Sequence, residues 1–258
     1  MGLRLRYLGC EGVLVRGSGQ AVLIDGLFGA EAAPFGMPPD ADLDALRHAK
    51  PPYAGVDVVL ATHNHEDHFA PAAVASYLEA SPTTRFVSTP QAVEQLLAAA
   101  GPSVADRVHA VVPREGERQI MDVNGIRVES FGLSHGKVNY ADVEQLGLIV
   151  RLGGMSLMHL GDGIIDEKSM RAAGVLDETI DVGVLPFWFL TYPFGKRLVQ
   201  RGFRPRALFA VHVRVAERDE IVREIESWIV ATPLIEPLAR YRVDEDARVI
   251  RVHDDEEE

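Results

Sequence analysis

The 258-residue chain has a single cysteine, Cys10, so no intrachain disulfide framework exists and stability must come from a packed core. No apolar run approaches the roughly 20 residues that span a bilayer, so a transmembrane helix is not expected. The opening residues, Met1-Gly2-Leu3-Arg4-Leu5-Arg6, alternate like a strand and lack the unbroken apolar block of a secretory leader. Basic residues are outnumbered, with 26 Lys and Arg against 38 Asp and Glu, for a formal net charge of −12. That balance argues against a broad nucleic-acid footprint, which needs clustered cations to displace counterions. The run Asp254 to Glu258 is wholly acidic and reads as a solvated, disordered tail. There is no low-complexity linker and no repeat with a sharp motif. The expectation is a cytoplasmic protein with one domain over residues 1–253. At 47% hydrophobic and 25% charged residues, such a domain can bury a sizeable core.

What the chain does have is an unusual concentration of metal-binding side chains. Val56 to Ala61 is an apolar, β-branched run that reads as a buried strand, and it leads directly into Thr62-His63-Asn64-His65-Glu66-Asp67-His68. Imidazoles and a carboxylate packed this closely are costly to bury without a partner, and a divalent metal is the natural one. His63 and His65, two apart, can point the same way from a strand end or tight turn. Asp67 and His68 follow where the chain turns into a helix. Such a segment can offer two ligands to one metal and two to a neighbour. The bland alternative is a polar loop that happens to be rich in histidine.

Elements alternate along the chain. Leu3 to Leu8, Glu11 to Arg16 and Ala21 to Ile24 read as an antiparallel meander with Gly-rich turns. Cys10 reads as a small residue packed near the first turn. Leu27 to Gly55 is long, irregular and Pro-rich, with a short helix at Asp42 to His48, and is expected to be a lid or pocket wall anchored by Phe28, Phe35, Met37 and Tyr53. Helices are expected at Pro71 to Ala80 and Pro90 to Ala100, strands at Arg85 to Ser88 and Val108 to Val112. Asn124-Gly125 and Gly153-Gly154 sit between strand patterns as hairpin turns. Asp166 to Ala173 and Ala216 to Val230 read as helices, and Asp181 to Leu185, Ala207 to Val213 and Ala247 to Val252 as strands. Both halves thus run from antiparallel strands into alternating strand and helix. This is an α/β pattern of two sheets facing each other between outer helices.

Further polar groups stand at strand ends: Ser134-His135-Gly136, Leu160-Gly161-Asp162-Gly163 and Val211-His212-Val213. Singly, His135 reads as a loop residue, Asp162 as a turn aspartate and His212 as a satisfied core histidine. Their order after the first cluster is what joins them into a site. In that order they resemble the metallo-β-lactamase superfamily, and the resemblance runs from Asp25 to His212. It implies an αββα sandwich of two mixed β-sheets with a dinuclear metal site along one sheet edge. It also implies that His63, His65 and His135 bind one metal, that Asp67, His68 and His212 bind the other, and that Asp162 bridges both. Asp25 matches an early aspartate that supports the metal loop.

The implied function is a hydrolase using two divalent ions, zinc first with manganese or iron open, on a small ester, lactone, amide or phosphoester. Asp67 and Asp162 would be its catalytic carboxylates. A mononuclear-iron oxygenase of the same fold is the alternative, and a binding module that keeps metal for stability is a third reading. The aromatic run Phe187 to Phe194 reads equally as pocket wall or core plug. Trp188, Phe189, Tyr192, Lys137 and Tyr140 are its candidate pocket residues, together with the neighbouring loop. The partner is a small molecule. The Pro-rich loop and the aromatic run could instead form a subunit interface, which keeps a homo-oligomer open.

Overall fold

The computed structural model describes residues 2–136, 139–231 and 249–253. The chain opens on a meander of β1 (Gly2–Gly9), β2 (Gly12–Gly17) and β3 (Gln20–Ile24). Helix α1 (Asp40–Arg47) lies in the Pro-rich excursion that leads to β4 (Val58–Leu60). Then come α2 (Pro71–Ala80), β5 (Arg85–Ser88), α3 (Pro90–Ala100) and β6 (Val108–Ala110). The second half begins with β7 (Arg118–Val123), β8 (Ile126–Ser134), β9 (Glu144–Leu152) and β10 (Met155–His159). It continues through α4 (Glu167–Ala172), β11 (Val182–Pro186), α5 (Trp188–Thr191), α6 (Pro193–Arg201), β12 (Ala207–Val211) and α7 (Arg218–Ala231). A last strand, β13 (Val249–His253), pairs with β1.

These strands form two sheets, ordered β13-β1-β2-β3-β4-β5-β6 and β12-β11-β10-β9-β8-β7. In each, an antiparallel part joins a parallel part, at β3–β4 in the first and at β10–β11 in the second. The sheets stack face to face with helices outside, the αββα sandwich of mixed sheets that the sequence implied. Period-two alternation explains the layering. Val13, Val15, Val22, Ile24, Val58 and Leu60 point inward to meet Val128, Leu146, Leu148, Val150, Leu157 and Val184 of the other sheet. Their neighbours Leu14, Leu23 and Val59 point outward to α2 and α3. Ile149, Met158 and Leu185 likewise face the second sheet's helices.

Local chemistry sets the boundaries. Pro71 and Pro90 occupy first helical turns, where a missing N–H costs nothing, and the Thr89 hydroxyl accepts from Ala92 N at 3.3 Å. Asn124 and Gly125 both have positive φ, 53° and 77°, as a type I′ hairpin requires. Two expectations change. The aromatic run, read as pocket wall or core plug, forms helices α5 and α6, and its Phe189 is fully buried in the outer core. The short helix in the excursion starts at Asp40, just after Pro39. The acidic tail, Asp254 to Glu258, lies outside the described residues.

One polar cluster sits on the outer side of the second sheet. Arg127 and Arg151 are directly paired across β8 and β9, a like-charge contact that needs relief. The buried carboxylate of Glu129 supplies it, accepting Arg127 Nε at 2.7 Å, Arg151 Nε at 2.6 Å and an Arg118 guanidinium nitrogen. Glu178 ties Arg118 and Arg151 together from the far side, at 2.7 and 2.9 Å. Burial pushes the Glu129 carboxyl up, and the three arginines more than reverse this and hold it below the ordinary value of 4.5. Its contribution is therefore present above that ordinary value and is lost as pH falls through the depressed one. Glu129→Gln should cost about 2 kcal/mol at neutral pH. The gap between parent and variant in urea midpoint should close in acid, below the ordinary glutamate range. An undiminished gap at low pH would show that packing, not charge, causes the loss.

Candidate metal centre

Strand ends from both sheets meet at one edge of the sandwich. Beyond β4 the chain turns across that edge and delivers His63, His65, Asp67 and His68. His135 follows β8, Asp162 follows β10 and His212 follows β12. Two backbone hydrogen bonds lock the sheets together here: Leu146 N to Thr62 O at 2.9 Å and His212 N to Cys10 O at 3.1 Å. All seven candidate ligands are thus brought to one place.

Asp162 stands in the middle. Its Oδ2 lies 3.3 Å from His135 Nε2 and 4.0 Å from His63 Nε2. Its Oδ1 lies 3.3 Å from His68 Nε2 and 3.2 Å from His212 Nε2. On the Oδ2 side, the rings of His63, His65 and His135 pack edge to face, with centroids 4.5 to 4.7 Å apart. On the Oδ1 side, Asp67 Oδ2 is 3.6 Å from both His68 Nε2 and His212 Nε2. Each side can present ligand atoms all within 4.8 Å of one another, and Cys10 joins the second.

The neighbours select which nitrogens face inward. Asp25 accepts Thr62 N at 2.7 Å, Thr62 Oγ1 at 2.6 Å and His68 Nδ1 at 2.9 Å. His68 donates Nδ1–H to Asp25 and turns Nε2 to the centre; burial pushes this imidazole down, but Asp162 and Asp25 more than reverse it and hold it well above the ordinary histidine range. Because the Thr62 hydroxyl donates to Asp25, it accepts from His63 Nδ1 at 3.1 Å, and His63 also presents Nε2. Asp25 therefore sits behind the histidine loop, holding Thr62 and His68. Asp25 and His212 both adopt left-handed backbone, with φ 46° and 59°, which non-glycine residues rarely hold without surrounding support.

These side chains fit a divalent cation on their own chemistry. His63 Nε2, both ring nitrogens of His135, Asp162 Oδ1 and His212 Nε2 are buried without a hydrogen-bond partner. An unsatisfied buried polar atom costs about 1–3 kcal/mol, and a convergent group of them is compensated by a bound ion. Imidazole nitrogens and carboxylates are the donors that zinc, manganese and iron accept. Charge follows the same division. Burial and the neighbouring imidazoles push His63 well below the ordinary histidine range. Burial also pushes His212 down, but Asp162 and Asp67 overcome it and raise it to about 10. Burial disfavours the Asp162 anion, yet the imidazoles around it hold its carboxyl well below the usual range.

A cleft of ≈ 430 Å³ opens over the centre, lined by His65, Asp67, His135, Asp162 and His212 and walled by Phe35, Tyr140 and Arg214. The Pro-rich excursion forms its wall. Glu66, inside the histidine motif, accepts Ala30 N at 3.0 Å, and Ala70 N donates to Leu27 O at 2.7 Å, so the excursion is clamped to the metal loop. The Phe35 ring then rests 4.4 Å from that of His212. Tyr140 lines the cleft, 4.9 Å from the His135 ring. Trp188 is half-buried, donates Nε1–H to Gly163 O at 3.0 Å and meets the His212 ring edge-on at 5.2 Å, so it braces that imidazole from outside the cleft lining. Two pocket expectations are corrected. Phe189 faces the core because helix α5 turns it inward, and Tyr192 is 58% exposed between α5 and α6, away from the lining. Lys137 lies outside the described residues. The sequence reading missed Glu66, Thr62, Glu11 and the position of Cys10. Glu66 and Thr62 were legible only as part of the motif, and Glu11 and Cys10 carry no local signal.

A two-sheet α/β sandwich with histidines and aspartates gathered at its strand ends defines a metal-dependent domain of the metallo-β-lactamase type. The chain matches the β-lactamase superfamily domain over residues 4–187, and it belongs to that superfamily. The matched segment holds His63 to Asp162 and ends before His212. Among solved structures, the chain is similar to a possible metal-dependent hydrolase from Veillonella parvula, at 18% identity and TM-score 0.65, covering 96% of this chain and 98% of that one. It is similar to a metallo hydrolase from the archaeon Ignicoccus hospitalis, at 16% identity and TM-score 0.59, covering 98% of this chain and 100% of that one. It is also similar to CmlA, a diiron β-hydroxylase from Streptomyces venezuelae, at 14% identity and TM-score 0.55. That match covers 88% of this chain and 51% of CmlA, so the chain spans about half of that enzyme. At such identities the likeness establishes the fold alone. No curated protein matches the chain.

Gly161 sets how Asp162 enters the centre. Its φ is +50°, and a Cβ there would lie 2.5 Å from both Thr62 Oγ1 and Gln145 Nε2. Gly161→Ala should lower stability by roughly 3 kcal/mol, from left-handed strain and overpacking together. Chemical unfolding of the metal-free protein measures this, and an unchanged midpoint would mean the turn can relax.

Proposed function

We propose that the protein is a metal-dependent hydrolase with two divalent ions at this centre, acting on a small ester, lactone, amide or phosphoester. The carrying observation is that Asp162 turns one oxygen to His63 and His135 and the other to His68 and His212. In this reading His63, His65 and His135 hold one ion, Asp67, His68 and His212 hold the other, and Asp162 serves both. The names of the Veillonella and Ignicoccus proteins support the hydrolase reading.

Bound there, two ions would supply Lewis acidity that lowers the pKa of water toward neutrality and polarises a carbonyl or phosphoryl oxygen. The chain's own residues do the rest. In this reading Asp67 and Asp162 border the cleft, where their carboxylates would orient a water, and Asp162 would relay its proton to a leaving group. Phe35 beside His212 and Tyr140 beside His135 give the substrate apolar surface on both sides of the cleft. Arg214 offers a cation at the rim, where it suits a negatively charged substituent.

Elemental mass spectrometry on protein purified without a metal-affinity tag tests this directly. About two zinc or manganese ions per chain are expected, as two-metal hydrolysis requires, with loss in Asp162→Ala and His65→Ala. An ester, lactone and phosphodiester screen should then find activity that the Asp162 variant lacks. A single iron per chain with oxygen consumption would favour the oxygenase alternative instead. A metal-free parent that folds as well as both variants would sink the proposal.

Asp25 gives an independent measure. Asp25→Ala removes the acceptor of His68 Nδ1 and two bonds from Thr62, and leaves all seven proposed ligand residues in the sequence. Metal affinity by competition with a chromophoric chelator should fall by about 10- to 100-fold. Unchanged affinity would show that packing alone orients His68.

A further inference from the structure

We propose that Cys10 is a metal ligand, its thiolate completing the half of the centre formed by Asp67, His68 and His212. This rests on the two-metal reading above. Cys10 is fully buried, and its Sγ lies 3.6 Å from Asp67 Oδ2 and 3.9 Å from His68 Nε2. Together with His212 these residues can place one ligand atom each within 4.8 Å of all the others. The thiol is thus inside the donor set and not beside it.

Independent observations point to a cation on the same side. His212 Nε2 and Asp162 Oδ1 are buried and face each other at 3.2 Å without hydrogen-bond geometry. Glu11, next in the chain and fully buried, has neither carboxylate oxygen hydrogen-bonded. One of its oxygens lies within 4.8 Å of ligand atoms of His68 and Asp162. A buried carboxyl without donors either keeps its proton or takes a cation as partner.

The turn that carries Cys10 is fixed in place. The Cys10 carbonyl accepts the Tyr7 hydroxyl at 3.1 Å and the backbone N–H of His212 at 3.1 Å. Backbone placement of one ligand, His212, therefore depends on the residue whose side chain would be another. On metal binding the thiol proton leaves to solvent, as it does whenever cysteine ligates. A thiolate makes this half of the centre softer than the three-histidine half, so it should prefer zinc, iron or cobalt over manganese.

X-ray absorption at the zinc edge of the full-length protein loaded with Zn2+ provides the test. The expected result is a sulfur shell at about 2.3 Å, corresponding to one sulfur for every two zinc ions. Cys10 is the only cysteine, so the parent spectrum already assigns that shell among thiolates. In Cys10→Ser the shell should vanish and the weaker zinc equivalent should bind at least about tenfold less tightly. Titration with Co2+ should likewise give a sulfur-to-cobalt charge-transfer band in the parent and none in the variant, which still takes one equivalent. Two bound zinc ions with nitrogen and oxygen scatterers only would overturn the proposal and leave Cys10 as a hydrogen-bond donor to Asp67. A sulfur shell that persists in Cys10→Ser would overturn it too. If the serine variant does not fold, the parent spectra still decide the question. Absence of bound zinc altogether would remove the two-metal reading, and this inference with it.

Discussion

Asp162 holds a nearly buried carboxylate between two groups of imidazoles, and the rest of the edge is arranged to make that tolerable. A lone anion in this position would carry a large desolvation cost. His63 and His135 face one of its oxygens, while His68 and His212 face the other. The same crowding divides the imidazoles: burial keeps His63 neutral, while nearby carboxylates favour the charged form of His212. A centre with that division of charge is prepared to exchange protons for metal cations.

Holding such a cluster needs strand ends from both sheets, and the sandwich supplies them at one edge. The alternating valines, leucines and isoleucines of the inner faces set the spacing between sheets. The polar groups beyond the strands inherit that spacing. Asp25 then fixes the metal loop through Thr62 and His68, and Glu66 fixes the neighbouring excursion to the same loop. A single segment, Thr62 to Phe69, thereby supplies candidate ligands, orients them and anchors the cleft wall. Its density of function explains why it is so conspicuous in the sequence.

Much of this was legible along the chain. Period-two alternation gave the strands of both sheets, and Asn124-Gly125 and Gly153-Gly154 fixed two hairpins, because only certain residues hold positive φ cheaply. The histidine motif, His135, Asp162 and His212 could be named as a set from their positions at strand ends. The aromatic run was the weak point. Phe187 to Phe194 is too short and too uniformly apolar for periodicity to separate pocket from core, and the structure divides it: Phe189 inward, Tyr192 outward, Trp188 against His212.

The sequence by itself determined the elements, their layering and the chemistry available at the edge, since these follow from local periodicity, turn residues and donor type. Only the tertiary structure decided who meets whom across the two sheets. Cys10 and Glu11 lie more than 50 residues from Asp67 and more than 140 from Asp162, and nothing local to them signals a site. Their place beside the centre comes from the β1–β2 turn lying against the end of β12, where the Cys10 carbonyl takes the His212 N–H. Such a contact is set by how two sheets stack, a global property that no stretch of sequence carries alone.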